Sequence, residues 1–373
     1  MRHPLTENPL THKAARTGPS PHRSRGGLGI SRIVDARMGG AGLWRLVGAA
    51  ALCLALAAQD APPQKKRAPR PPLPGVKEVQ KPMDVLKPDF VFSVPGVPDW
   101  TTTSPNAIWV SNGPKNSISK LDAKTNTVTE TITVGIKPCS GIAYGFGSLW
   151  VPNCGDKTVS RVDVKTNKVV ATIPVGPANS EGGIACSKDA VWMTTGTNGD
   201  KVARINPKTN KVVAEITVPE GSHTTDFGEG AVWVTNSKGK VVTRIDPKTN
   251  QVTDTIEVGP QPRFLTVGEG FVWTLNQGDG TVSKIDPKTR KTIATIQVGI
   301  PGGGGEISAG GGAVWVTVFQ IPLTRIDAKT DKVTHQFAGP GGDAVIFAHG
   351  SVWLSNLRQQ NIWRLDPAKI TGP

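Results

Sequence analysis

The chain has 373 residues and a formal net charge of +14, with ten tryptophans, nine phenylalanines, one tyrosine and four cysteines. Residues 1–88 hold 15 of the 43 lysines and arginines but only 5 of the 29 acids, so the remainder is close to neutral. That distribution argues against nucleic-acid binding by the folded part. Outside one candidate export segment, no apolar run reaches the roughly 18 residues that would mark a membrane-spanning helix, so none is expected in the mature chain.

Residues 1–37 are rich in Arg, Pro, Ser and Gly and show no periodicity. From Arg45 the sequence turns apolar through Ala58, with small residues at the end of the stretch. A positive residue, a short apolar run and Ala55-Leu56-Ala57 as a cleavage site describe a signal peptide spanning residues 1–58, with Met38 as an alternative start. The expected location is therefore periplasmic or extracellular. Residues 59–88 carry Pro, Lys and Arg without a helical or strand pattern, which predicts an extended, solvated linker.

From residue 89 one sentence is repeated. Its clearest copy runs from Gly230 to Gly259 and is anchored by Val232-Trp233-Val234. The same slot holds Trp109, Trp150, Trp192, Trp233, Trp273, Trp315 and Trp353, at spacings of 41, 42, 41, 40, 42 and 38 residues. A basic residue, an aliphatic residue and Asp or Asn follow each tryptophan, as in Arg244-Ile245-Asp246. Gly- and Pro-punctuated β runs at a fixed period near 40 predict an all-β, seven-bladed β-propeller over residues 89–373. Each copy divides into four short strands; in the fourth they are expected near 224–228, 231–236, 241–246 and 251–258. The seventh copy lacks its fourth strand. Asp89 to Gly96 matches that slot, so an N-terminal strand is expected to complete the last blade.

The Asp-x-Lys-Thr-Asn turn recurs from blade to blade and reads as scaffold: Asp and Thr satisfy turn amides while Lys faces water. Function is sought where the copies differ. Nine to eleven residues before each tryptophan, at the upper mouth of the central channel, stand Asp99, Trp100, Glu181, His223, Arg263, Phe264, Glu306 and Asp343. A histidine, four carboxylates and an arginine between aromatic walls suit an anion, a divalent cation or a polar ligand, or proton transfer. Charges paired only with one another are the plainer alternative. Gly302 to Gly305 runs over the same mouth as a lid or a loose loop.

Cys139 and Cys154 lie nearly opposite across a hairpin of the second blade, and export makes a disulfide between them chemically reasonable. Cys186 occupies an apolar strand slot and reads as a buried small hydrophobe. No spacing marks a zinc site.

Trp233-Val234-Thr235-Asn236 and Arg244 to Asn250, followed by Thr255 to Gly259, resemble the YVTN-repeat (YncE-like) propellers. The phrasing also resembles the virginiamycin B lyase-like, or streptogramin lyase-like, propellers. The second resemblance implies a Mg²⁺-assisted elimination that opens a cyclic ester, with His223 as acid/base and Glu306 or Glu181 near the metal. The leading expectation is an exported binding scaffold with a ligand site at the upper mouth. Its partner would be a small molecule or an envelope protein, its state a monomer, and Mg or Ca its only candidate cofactor. The alternatives are a Mg-dependent lyase or hydrolase using the same funnel, and a protein–protein interaction module of the cell envelope.

Overall fold

The computed structural model describes residues 75–371; the candidate signal peptide, Cys53 and linker residues 59–74 lie outside the described residues. The described chain forms seven antiparallel sheets whose first strands contact one another in a ring. Within a blade the strands, a to d, run outward in sequence order, and in blade 4 they are Ser222–Gly228, Ala231–Asn236, Val241–Asp246 and Gln251–Glu257. Short turns fix this order, and the sequence supplies their chemistry. Asp122 Oδ1, for instance, accepts the amides of Lys124 and Thr125 at 2.7 and 2.8 Å in the c–d turn.

Alternation along strand b explains the apolar triplets. Both faces of each sheet are covered by neighbouring blades, so the aliphatic residues on one face and the tryptophan on the other are all buried. The seven repeat tryptophans are at most 1% exposed. Each indole N–H is also satisfied locally, as when Trp233 donates to the Gly228 carbonyl at 3.0 Å. The basic residue of the second marker stands opposite the tryptophan on strand c, and its cation lies over the indole, from Lys120 on Trp109 to Arg364 on Trp353. Arg161, Arg204, Lys284 and Arg364 then reach the c–d turn of the following blade.

Ring closure follows the expected route. Phe90–Ser93 pairs with the third strand of blade 7, Phe90 opposite Arg364 and Ser93 opposite Asn361. Phe92 is buried against Trp353, with ring centroids 5.4 Å apart.

Residues 75–88 depart from the solvated linker expected over 59–88. Gln80–Pro82 adds a fifth strand, parallel to Lys332–Ala338, on the outer edge of blade 6. Met83 and Leu86 then enter a core shared with Trp315, Phe337, Leu354 and Ile370. The physical reason is a seam between blades 6 and 7 that takes two apolar side chains, which Pro and Lys on either side had masked. The helix Pro367–Thr371 contributes Ile370 to the same core. No helix among the described residues is long and apolar enough to cross a membrane.

Candidate functional site

The upper mouth is built by the starts of the a strands. Hydroxyls two residues after the repeat tryptophans tie these starts together across blades. Ser111 Oγ donates to the Ser140 carbonyl at 3.1 Å and Thr235 Oγ1 to the Arg263 carbonyl at 3.0 Å. Thr317 Oγ1 donates to the Asp343 carbonyl and accepts the Glu306 amide. The backbones that carry Arg263, Glu306 and Asp343 are therefore held by the sheet core rather than by loops.

Those starts enclose a cavity of about 230 Å³, lined by Asp99, Trp100, Glu181, Arg263, Phe264, Glu306 and Asp343, with Ser140, Phe319 and Leu357 completing the wall. Trp100 meets Phe264 edge-on at 5.7 Å. Arg263 pairs with Glu181 and lies over the Phe264 ring. Asp99 accepts the Ser140 hydroxyl at 3.0 Å and is hydrogen-bonded to Asp343, which requires a proton between the two carboxyls. Glu306 is 5% exposed, and its Oε2 is buried without a hydrogen-bond partner.

Burial is the main electrostatic fact. It pushes Asp343 up to about 8, helped by the charge of Asp99. It raises Glu306 well above the usual carboxylate range, with Asp343 and Asp99 adding to the effect. Asp99 is raised by burial and by Glu181. The cavity thus holds protonated acids near neutral pH, beside one arginine–glutamate pair.

His223 is placed elsewhere. Its ring stands 6.0 Å from Phe264, edge-on, and lines a neighbouring cleft rather than the cavity that contains Glu306. His223, expected as acid/base, is therefore not brought into one cavity with Glu306 and Glu181, expected near the metal; Phe264, buried at 3% exposure, belongs to the cavity wall from which His223 is missing. Burial and the Arg263 charge lower His223 to about 4, so it is neutral at physiological pH.

An all-oxygen donor set suits Mg²⁺ or Ca²⁺ in principle. Here Glu181 is engaged by Arg263, and among the described residues no group of three or more His, Cys, Asp or Glu side chains is placed to hold a metal. As arranged, Glu181 and Glu306 do not fit the metal role that the sequence resemblance implied for them.

Gly304 and Gly305 belong to the wall, not to a loose lid. A Cβ on Gly305 would lie 1.8 Å from the Thr317 carbonyl oxygen, and both residues have positive φ, +77° and +83°. The Gly304 carbonyl accepts the Gln277 amide at 2.7 Å. Phe319 and Leu357 were missed in the sequence. Their signal was available: four residues after the tryptophan the other copies carry Gly113, Cys154, Gly196, Ser237 and Gln277, and only these two are large and apolar.

Cys139 and Cys154 are joined by a disulfide, Cα atoms 5.2 Å apart, beside Ser140. Cys186 is free, and burial raises its thiol.

Fold and site together define a seven-bladed propeller with an acidic, aromatic-walled mouth. The family model described as glutamine cyclotransferase matches residues 150–339, half of the chain, and the protein belongs to that family. Among solved structures it is similar to one titled streptogramin B lyase, at 19% identity and TM-score 0.63, covering 74% of this chain and 96% of that one. It is equally similar to Kuenenia stuttgartiensis hydrazine synthase, at 17% identity and TM-score 0.63, covering 76% and 97%. At these identities the likeness is one of fold, the lyase-type propeller expected from the repeats. No curated protein matches the chain significantly.

Proposed function

We propose that the protein is an exported binding scaffold whose upper mouth takes a small organic cation, an ammonium or a guanidinium. The observation that carries this reading is Glu306 Oε2, buried and unpaired in a cavity where four carboxyls share one arginine. A cation entering there replaces protons. The acids ionise as it binds, and each gains a charge-assisted hydrogen bond in a desolvated site. Affinity should therefore rise as pH rises through the Asp343 value of about 8. Export is supported by the apolar stretch before Ala58 and by the disulfide.

The test is thermal unfolding with methylammonium, guanidinium, Mg²⁺ or Ca²⁺, at about one unit on either side of that pH. Saturation to a hundred times Kd should add about 2.7 kcal/mol. Stabilisation by an organic cation, stronger at the higher pH and absent in Glu306→Gln, supports the scaffold. Stabilisation by Mg²⁺ or Ca²⁺ alone shifts the reading to a metal-assisted lyase. No stabilisation by any of them removes the cation site.

A second reading is an enzyme of the kind the family description names, and it is favoured by one observation. Asp343, raised to about 8, holds a proton near neutral pH and can act as a general acid, and burial shifts Glu306 in the same direction. Cyclising a glutamine expels ammonia, and the departing nitrogen needs a proton. That reading predicts ammonia release from a peptide with N-terminal glutamine, failing above about pH 8 and in Asp343→Asn. The two readings have opposite pH dependence, so one profile separates them.

A further inference from the structure

Beside the acidic cavity lies a second, larger opening on the same face. It is a cleft of about 790 Å³ between blades 4 and 5, lined by His223, Ser237, Lys238, Lys240, Pro260, Gln261, Arg263, Gln277 and Gly278. Its chemistry is the reverse of the cavity's. It contains three cations, two amides, a hydroxyl and a neutral imidazole, and no carboxylate lines it. Arg263 is the one residue that lines both openings.

The cations of the cleft are unevenly compensated. Lys238 pairs with Glu220 at 2.6 Å on the rim, and Arg263 pairs with Glu181 on the cavity side. Arg263 Nε is buried with no hydrogen-bond partner. Lys240 is exposed and has no acidic partner among the described residues. An unpaired ammonium, a guanidinium with a free N–H and the exposed Gln261 amide suit a carboxylate, which accepts several donors at once; the Gln277 amide is already engaged by the Gly304 carbonyl.

We propose that this cleft is a carboxylate subsite. It takes the anionic end of a ligand whose cationic end lies in the acidic cavity, with Arg263 as the wall between them; in its second half this rests on the reading given under Proposed function. The ligand class is then a bipolar one, an amino carboxylate or a short peptide, and the paired openings measure its length as well as its charges.

The test uses the whole protein and calorimetric titration with straight-chain ω-amino carboxylates, from γ-aminobutyrate to ε-aminocaproate. Each is compared with the alkylamine and the carboxylate of the same length. One member of the series should bind about tenfold more tightly than its alkylamine, the scale of one charge-assisted contact. That gain should disappear in Lys240→Gly and survive in Lys240→Arg. Glycine suits the φ of +54° at residue 240, so loss of the fold does not confuse the result. If alkylamines bind and no amino carboxylate binds more tightly, the carboxylate subsite is overturned while the cation site stands. If only simple carboxylates bind, and Lys240→Gly abolishes that, the bipolar ligand is overturned and the cation site falls with it. If none of the three classes binds, both are overturned.

Discussion

Asp343 and Glu306 owe their behaviour to where the strands end, not to residue type. A carboxyl more basic in the folded than in the unfolded state gives its full stabilisation below the ordinary carboxylate range. It loses that stabilisation as pH rises through the folded value. For Asp343 that window runs from the ordinary value of 3.8 to about 8. His223 acts with the opposite sign between about 4 and 6.5, because its folded value is depressed. The clean interval is therefore from about pH 6.5 to 8. There, melting temperature should fall with rising pH by an amount equivalent to about 2 kcal/mol at most for Asp343, and Asp343→Asn should reduce the fall. Scanning calorimetry across that interval checks it. Glu306 gives a companion test. Glu306→Gln keeps the shape of the protonated acid and should cost under about 1 kcal/mol at neutral pH, whereas Glu306→Leu should pack but lose cation binding.

These residues were legible in the sequence because they are where the repeats disagree. Asp99, Trp100, Glu181, Arg263, Phe264, Glu306 and Asp343 do share one cavity. What alignment on the tryptophan could not supply is azimuth within the mouth. His223 occupies the same slot as Arg263 one blade earlier, yet it faces the next opening, although strand a carries a register shift at this slot in both blades.

At the scale of elements, the basic marker residue does more than its turn position implied. It covers the indole face, and in several blades it also bonds the next blade's c–d turn. Arg364 does this across the point of closure, donating to the Ala123 carbonyl and to Asn126 Oδ1, each at 2.7 Å. Arg244 instead turns back to Thr253 and Asp254 in its own blade. Each of the two arginines covers its own blade's tryptophan from the same strand position, Arg244 on Trp233 and Arg364 on Trp353, so they separate stacking from inter-blade bonding. Arg364→Ala should cost about 2–3 kcal/mol and Arg244→Ala about half that, read from urea unfolding. Equal costs would mean that the stack on tryptophan carries the whole effect. Strand b itself tolerates nothing: Trp233→Ala, from a side chain with no exposure, should cost about 3–5 kcal/mol. The disulfide belongs to this scale as well. It closes a loop of 15 residues, worth about 3 kcal/mol by loop entropy, so reduction should lower the melting temperature without opening the ring.

A propeller is a closed ring, and its weakest place is the blade made from both ends of the chain. Blade 7 takes three strands from the C-terminal side and one, Phe90–Ser93, from the N-terminal side. The lone strand keeps only a single side chain, Phe92, well inside; Phe90 and Val91 are exposed at 44% and 54%. A strand of four residues with one buried anchor is a thin fastening for a domain of this size. The segment before it supplies the rest. Val76 N–H donates to Gln336 Oε1 at 2.7 Å, and Gln336 Nε2 donates in turn to the Val298 carbonyl at 2.9 Å, linking the strap to blades 6 and 5. Met83 and Leu86, at 3% and 5% exposure, then fill the seam between blades 6 and 7. This was not visible in the sequence, since two apolar residues among prolines and lysines carry no periodicity. Its consequence is specific. Met83→Ala and Leu86→Ala should each cost about 2–4 kcal/mol, as core truncations do, while Val91→Ala on the closing strand should cost under about 0.5 kcal/mol. Unfolding in urea followed at the tryptophans reads all three. A flat response to Met83 and Leu86 would leave closure to the stretch from Asp89 to Val94; the expected response makes the segment that reads as a tether part of what holds the ring, and with it the mouth, in one shape.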